Sequence, residues 1–269
     1  MHRSLGELPA EAVVALVKAN WVEFYKRLGR WPGSELAVGP HLSWLVTSIP
    51  DPFLNVVFRT ELPPGGPSSV IDEAVDHFRS RHVTRLSWWV EVAGGEVGEQ
   101  LTRHGLTFTG GSAMAADLAS LSLDDPDPIG LDIAQVEDRA SLGSWVHVMG
   151  VNFGLPEHAE QELFELFATV SLEPPMTTYL GMLDGRPVAT AQLFGGAGVA
   201  GIYNVTCLPE ARGRGIGAAL TRAPLVEARR HGYDVGILQA SDLGYPVYRR
   251  LGFQDYGRLA TYELTAEAT

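Results

Sequence analysis

The glycine- and arginine-rich segment 212–218 carries the residue types best suited to chemistry in this chain. It reads Arg-Gly-Arg-Gly-Ile-Gly-Ala and follows an apolar stretch that ends at Cys207. Glycines let the backbone approach a ligand closely, and the first amide groups of a helix point outward unpaired at the positive end of the helix dipole. With the charges of Arg212 and Arg214, a strand, turn and helix in this order predict an anion site, best suited to a phosphate or a diphosphate.

Two other phosphate-binding patterns fit the segment less well. Residues 213–218 match the G-x-G-x-x-A pattern of dinucleotide-binding folds, but such a fold needs several further strand–helix units and only about fifty residues follow. No acidic residue ends the next predicted strand at the usual spacing of roughly 20 residues. The P-loop pattern is absent because no Gly-Lys-Ser/Thr follows the glycines. The segment therefore favours an anion site of a different kind.

Alternating strand and helix patterns surround this segment in the second half of the chain. Strands are predicted at 131–136, 177–183, 187–194, 201–207, 235–240 and, as one or two strands, at 253–264. Helices are predicted at 137–149, 156–169, 214–231 and, as a short helix that Asp242 caps, 242–250. Helices between strands predict an α+β fold with a mixed sheet, in which the glycine turn lies near the middle.

The first half repeats this order of elements more faintly. Helices are predicted at 9–28, 68–81 and 96–104, strands at 42–48, 54–62, 86–92 and 106–118, and a turn at 63–67. A shift of 147 residues superposes Gly105 on Gly252, Leu101 on Tyr248 and Gly65–Gly66 on Arg212–Gly213. The order of elements matches but the charged chemistry is missing, which predicts a tandem duplication with a degenerate first copy. The Asp- and Pro-rich stretch 121–130 is predicted to link a first domain, 1–120, to a second, 131–269.

Two motifs of the second half resemble those of the Gcn5-related N-acetyltransferases, the GNAT superfamily. The first has the family pattern Arg/Gln-x-x-Gly-x-Gly/Ala, present here as Arg212, Gly215 and Gly217. About thirty residues later, Tyr248 is followed by two residues and Leu-Gly-Phe, a familiar ending of the second motif. The good resemblance covers residues 131–264. It implies the GNAT fold, with a central mixed, mostly antiparallel sheet flanked by helices, here in two similar copies.

The resemblance also implies a role for each matching position. The loop looks like the one whose amides hold the diphosphate of coenzyme A, and the strand end before it corresponds to the backbone that bonds the pantetheine arm and polarises the acyl carbonyl. Ser241 lies where the family usually has an Asn that contacts the cofactor. Tyr248 matches the residue that typically protonates the departing thiolate. The implied ligand contacts are Val205, Thr206, Cys207, Arg212, Gly213, Arg214, Gly215, Ile216, Gly217, Ala218 and Ser241, with Tyr248 catalytic.

Tyr248 and Cys207 also have simpler interpretations. Tyr248 alone would be taken for a core aromatic close to Tyr245 and Phe253, although its place in the second motif favours the acid role. Lone cysteines in strands are mostly buried packing residues, and direct transfer needs no covalent enzyme intermediate. We therefore do not expect Cys207 to be a nucleophile.

The sequence does not identify a general base. His147 and His158 flank a predicted helix–loop–helix at 149–160 that resembles the substrate-binding lip of the family, and either could serve. Surface or packing histidines are nevertheless commoner than catalytic ones. The strand 201–207 contains no Glu or Asp, which many relatives carry there.

Composition limits the partners. The chain has 269 residues, a formal net charge of −12 and one cysteine. The acidic balance argues against nucleic acid, and the single cysteine argues against an intrachain disulfide or a cysteine-ligated metal, so no metal is expected. Neither a signal-peptide core nor an apolar run of roughly 18 residues is present. We expect a cytoplasmic protein without a membrane partner, and a homodimer is compatible with the sequence.

These observations predict an N-acyltransferase. It would move an acetyl or other short acyl group from acetyl-CoA to an amine of a small molecule or peptide by direct attack. One alternative is a CoA-binding sensor or partner module without transferase activity, and another is a different reaction of a thioester, such as decarboxylation. Retention of both motifs favours the transferase, and the acceptor is not identified.

Overall fold

The computed structural model describes residues 5–62, 67–91 and 93–264, so most of the turn predicted at 63–67 lies outside the described residues. The strands are β1 (Glu35–Val38), β2 (Leu42–Val46), β3 (Val56–Thr60), β4 (Leu86–Val90), β5 (Thr107–Phe108), β6 (Gly111–Asp117), β7 (Leu131–Gln135), β8 (Met176–Leu183), β9 (Arg186–Gly196), β10 (Val199–Cys207), β11 (Val235–Ala240) and β12 (Gln254–Leu264). The helices are α1 (Ala10–Leu28), α2 (Pro67–Ser80), α3 (Gly95–Arg103), α4 (Arg139–Phe153), α5 (Glu157–Val170), α6 (Ile216–Arg230) and α7 (Tyr245–Arg250).

The chain forms two compact units, and each draws on both ends of the sequence. The first unit comprises the residues up to Phe24 together with Ser112–Gly257. The second comprises Tyr25–Gly111 together with the residues from Arg258 onward. The linker predicted at 121–130 separates the two copies of the repeat in the sequence. The compact units do not test this boundary, so it stays a prediction.

The sheet of the first unit has the order β7–β8–β9–β10–β11–β6. Its neighbours are antiparallel except for β10 and β11, which run parallel and pair at Ala200–Gly236 and Gly201–Ile237. Beyond these pairs β10 continues to Cys207 and β11 to Ala240, so the two strands diverge towards their carboxyl ends. Helix α6 follows β10 and buries Leu220 and Leu225 in the core of this unit.

The sheet of the second unit repeats this arrangement. Its order is β1–β2–β3–β4–β12, with β5 on β12, and its parallel neighbours are β3 and β4. They pair at Val56–Ser87 and Val57–Trp88, and Trp88 lies fully buried in the core. Both units thus have a mostly antiparallel sheet with one parallel pair at its centre, which confirms the α+β fold class and the two similar copies.

Helix boundaries differ from the predicted ones where side chains or glycines decide them. Helix α4 begins after Asp138, whose carboxylate accepts a hydrogen bond from the Ser141 amide at 2.8 Å, and it ends at Gly154 with φ 62°. It is therefore longer than the predicted helix 137–149. The short helix α7 begins at Tyr245 rather than at Asp242, because the Ser241 hydroxyl instead accepts from the Gly244 amide at 3.2 Å.

The Asp- and Pro-rich stretch has no regular secondary structure, yet it packs within the first unit. Leu121 and Leu123 are buried in its core. The Arg222 guanidinium on α6 donates to the Asp127 carboxylate at 2.9 Å, and Arg229 donates to the Leu121 carbonyl at 2.7 Å. The stretch is thus held in place by its own buried leucines, Leu121 and Leu123, and by two arginines of α6.

Candidate functional site

A cavity of about 680 Å³ opens in the first unit where β10 and β11 diverge. Its size is within the range of small-molecule sites, roughly 300–1,000 Å³. It is lined by Asp125, Asn152, Phe153, Val205, Thr206, Cys207, Ala211, Arg212, Gly213, Gly215, Ile216, Gly217, Ala218, Arg222, Ser241, Leu243, Gly244, Val247, Tyr248, Arg250 and Leu251. The structure therefore brings together every residue predicted for the site except Arg214, which is exposed and outside this lining.

The backbone of the loop requires glycine at two positions. Gly213 and Gly215 have φ values of 75° and 80°, in the left-handed region that other residues rarely adopt. Helix α6 consequently begins at Ile216, and no side chain caps its first turn. The first amide groups of α6 are therefore available as hydrogen-bond donors at the positive end of the helix.

Gly217 leaves space in the cavity rather than serving the backbone conformation. A Cβ atom added at this position would meet no protein atom within 4 Å. A ligand can thus approach the first turn of α6 to van der Waals contact with the backbone.

The charged side chains of the lining are mostly cationic. The lining contains three arginines, Arg212, Arg222 and Arg250, and one carboxylate, Asp125, although the whole chain carries a formal net charge of −12. Arg222 is partly neutralised by its ion pair with Asp127 at 2.9 Å, whereas no ion pair of Arg212 or Arg250 is found among the described residues. A concentration of positive charge in a concave site attracts an anionic ligand. This charge and the uncapped helix together fit a phosphate or a diphosphate.

Arg212 connects the loop to two other elements. Its Nε donates to the Cys207 carbonyl at 2.9 Å, and its Nη2 donates to Asn152 Oδ1 at 3.0 Å. Asn152 belongs to the predicted helix–loop–helix at 149–160, but it was not predicted as a ligand contact. The structure continues α4 through Phe153 and so places both Asn152 and Phe153 in the lining.

Tyr248 presents a protonated hydroxyl to the cavity. Its side chain is only 9 % exposed, and no hydrogen-bond partner for it lies among the described residues. Burial raises the pKa of Tyr248 to about 12, so the phenol stays protonated at neutral pH. Gly244 makes room for the ring, since a Cβ there would lie 2.7 Å from Tyr248 Cε2.

Cys207 lies in the lining as a thiol. It is half-buried, and burial raises the pKa of its thiol, while the nearby Arg212 acts more weakly in the opposite direction. The thiolate is the nucleophilic form, so this environment does not activate Cys207.

The two histidines considered as bases lie outside the lining. His147 is exposed and its Nδ1 lies 3.4 Å from Glu160 Oε2, and His158 is also exposed. Neither is among the residues around the cavity.

The described residues contain neither a cluster of metal ligands nor a membrane-spanning helix. In the ranges given above, no group of three or more His, Cys, Asp or Glu is placed to hold a metal ion. None of the helices there combines the length and the apolar character that crossing a bilayer requires.

The mixed sheet, whose central parallel strands diverge beside a glycine-rich, uncapped helix start, has the GNAT fold. Residues 145–253 match the model of the acetyltransferase (GNAT) family, so this part of the chain is a GNAT domain. The match includes the arginine–glycine loop and Tyr248. A search of curated proteins gave no match.

Solved structures share the fold over nearly the whole chain. A GCN5-related N-acetyltransferase from Kribbella flavida is 20% identical with a TM-score of 0.66, covering 93% of this chain and 96% of that one. A GCN5-related N-acetyltransferase from Sphaerobacter thermophilus is 17% identical with a TM-score of 0.63, and the match covers 95% of this chain and 91% of that one. A tandem GNAT protein from the clavulanic acid biosynthesis pathway is 15% identical with a TM-score of 0.60, covering 97% and 98%. The shared fold thus extends over both copies, and the family match lies in the second copy.

Proposed function

We propose that this protein transfers an acetyl or other short acyl group from a coenzyme A thioester to an amine of a small molecule or peptide. The observation that carries the proposal is one cavity that combines an uncapped helix start, cationic side chains and the buried Tyr248 hydroxyl. The GNAT domain at 145–253 supports acetyl transfer as the class of reaction.

The residues present fit a coenzyme A thioester. The amides at the start of α6 and the arginines of the lining would hold the diphosphate, and the open space at Gly217 admits it close to the backbone. The end of β10 would hold the pantetheine arm, because it leaves the ladder to β11 after Gly201. When bound, the thioester supplies an activated acyl group.

The chain's own groups would assist direct attack. An amine that has lost a proton to water forms the new N–C bond as the C–S bond breaks. Backbone amides at 205–207 would donate to the carbonyl oxygen as it gains charge, a contribution on the order of 3 kcal/mol when well aligned. Tyr248 would donate its proton to the departing sulfur, and the proton released by the nitrogen returns to Tyr248 through solvent.

The acceptor would enter from the side of residues 149–160 and 179–192. Asn152 and Phe153 are the described lining residues from this side of the site. Phe153 offers an aromatic face, which suits an apolar group beside the amine, whereas the Asn152 amide is already engaged by Arg212, Thr206 and Val148.

Binding and turnover test the proposal separately. Isothermal titration calorimetry should detect binding of acetyl-CoA and of coenzyme A, with no comparable binding of nicotinamide or flavin nucleotides. Thiol release from acetyl-CoA should then depend on the amine when polyamines, amino acids, aminoglycosides and peptides are compared. Tight binding without amine-dependent release would instead support a sensor, and binding of a dinucleotide alone would overturn the proposal.

A further inference from the structure

A chain of side-chain hydrogen bonds runs from the anion-binding loop to the interior of β10. Arg212 Nη2 donates to Asn152 Oδ1 at 3.0 Å, and Asn152 Nδ2 lies 3.4 Å from Thr206 Oγ1. The Thr206 and Thr190 hydroxyl oxygens are 2.8 Å apart, and Thr190 Oγ1 donates to the Asn204 carbonyl at 2.7 Å. These contacts connect α4, β9 and β10 with the loop.

The two ends of this series of hydrogen bonds fix which group donates in each bond. A guanidinium can only donate, so the Asn152 atom facing Arg212 is the oxygen and its NH2 group faces Thr206. A carbonyl can only accept, so the single proton of Thr190 is committed to Asn204. Thr190 must therefore accept from Thr206, whose hydroxyl in turn accepts from Asn152. All donors point from the cationic loop towards Asn204.

The end of the chain is a bulge in β10. The register with β9 shifts between Tyr203 and Thr206, so Asn204 and Val205 lie within the bulge. Asn204 has φ 51°, a left-handed value that Asn tolerates better than most residues. The Asn204 side chain donates to Gln192 Oε1 at 2.9 Å, which holds this residue a second time.

The buried polar groups beneath the bulge are matched to one another. Gln192 Nε2 donates to Thr178 Oγ1 at 2.9 Å, and Thr178, Thr190 and Gln192 are each at most 1% exposed. Buried polar groups are costly unless they are paired, so these residues favour one geometry of the bulge over others.

We infer that Thr190 is a positioning residue that fixes and polarises the peptide between Asn204 and Val205. A hydrogen bond to the carbonyl of a peptide makes the amide of the same peptide a stronger donor, because chains of hydrogen bonds polarise one another. That amide belongs to Val205, which lines the cavity. The inference rests on the proposed function for the identity of the group that the Val205 amide meets, namely the acyl carbonyl. Thr190 itself lies outside the lining and acts through the bulge.

Two substitutions at one site separate this role from packing. Thr190→Val keeps the shape of the side chain and removes the hydroxyl, whereas Thr190→Ser keeps the hydroxyl. In the full-length, 15N-labelled, ligand-free protein, the Val205 amide proton should move upfield in the valine variant and stay near its parent position in the serine variant. Acetyl transfer should show a kcat about tenfold lower in the valine variant, with the KM for acetyl-CoA unchanged and kcat largely retained by serine.

The outcomes separate this inference from the proposed function. An unchanged Val205 resonance together with an unchanged kcat in Thr190→Val would overturn the inference. A shifted resonance in a protein that lacks transferase activity would uphold the polarised peptide and reject the proposed function. If Thr190→Val does not fold, Asn152→Ala breaks the same chain at a partly exposed residue, and it should move the Val205 resonance in the same direction by a smaller amount. An unchanged Val205 resonance in Asn152→Ala would count against the proposed series of hydrogen bonds.

Discussion

The hydroxyl of Tyr203 donates a hydrogen bond to the side-chain oxygen of Asn20 across 2.5 Å, although 183 residues separate the two in sequence. The Asn20 amide group also donates to the carbonyls of Gly196 at 2.8 Å and Val199 at 3.3 Å. Gly201 leaves the space for this contact, since a Cβ there would lie 2.3 Å from Asn20 Oδ1. The first part of α1 is thus built into the same compact unit as the GNAT domain.

Asn20→Ala should destabilise the protein strongly. Asn20 is fully buried, and its removal takes away its hydrogen bonds with the Tyr203 hydroxyl and with two strand carbonyls. We expect the free energy of unfolding to fall by about 3 kcal/mol. Denaturant unfolding measures this change, with Glu11→Ala, an exposed position of the same helix, as a control that costs well under 1 kcal/mol. Equal stability of the two variants would mean that the Asn20 contacts contribute nothing.

The sequence predicts the parts of the site that depend on neighbouring residues. The loop 212–218 is recognisable because its conformation follows from local glycines, two of which have positive φ. Tyr248 is recognisable through its spacing from Leu251, Gly252 and Phe253. The structure gathers these residues around one cavity, and their roles in binding stay predictions.

Other features depend on distant contacts and leave little local signal. The sequence predicts a strand at 106–118 but not that β6 lies antiparallel beside β11, while residues of β12 pair with β4. Strand pairing across more than 100 residues follows from tertiary packing, not from alternation. The contact between Arg212 and Asn152 was not predicted for the same reason, because it spans 60 residues of sequence.

Asp51→Asn should stabilise the protein at neutral pH but not at low pH. Burial raises the pKa of Asp51 from its ordinary 3.8 to about 6, against the opposing effects of the Phe53 amide and Arg85, and Glu263 raises it further. An acid whose pKa is higher in the folded state than in the unfolded state stabilises the fold while it is protonated. This stabilisation is complete below the unfolded-state pKa and is lost as the pH rises through the folded-state pKa. The free energy of unfolding falls by about 3 kcal/mol over this pH range.

Asn at position 51 cannot ionise, so it removes this pH dependence. Its side-chain oxygen can still accept the hydrogen bond that the Phe53 amide donates to Asp51 Oδ1 at 2.8 Å in the parent protein. The free energy of unfolding should be measured for both proteins between pH 4 and pH 8. The advantage of the variant should grow as the pH rises through about 6. A difference that does not change with pH would show that Asp51 is ionised equally in the folded and unfolded states.

Gly217→Trp should block binding of acetyl-CoA without unfolding the protein. A side chain at this position would enter open space in the cavity, because its Cβ meets no protein atom within 4 Å. Calorimetry should show affinity reduced at least about 100-fold, since the indole would occupy the volume needed by the ligand. Gly143→Ala is the control, because its Cβ would make ordinary contact with Phe164 at 3.9 Å outside the cavity lining. Undiminished affinity in the tryptophan variant would exclude this cavity as the binding site.

Tyr248→Phe should lower kcat by about 100-fold while leaving the Kd for acetyl-CoA within a factor of two, because a general acid acts only as the C–S bond breaks. Since the pKa of Tyr248 is raised to about 12, its protonated form persists through pH 10, and the activity that depends on it should not decline on the alkaline side up to that pH. Tyr245→Phe is the matched control. Tyr245 lies on the same short helix but outside the cavity lining, and the nearby Asp255 raises the pKa of its hydroxyl. Kinetics of acetyl transfer should therefore separate the two tyrosines, and equal kcat values in both variants would remove Tyr248 from the chemistry.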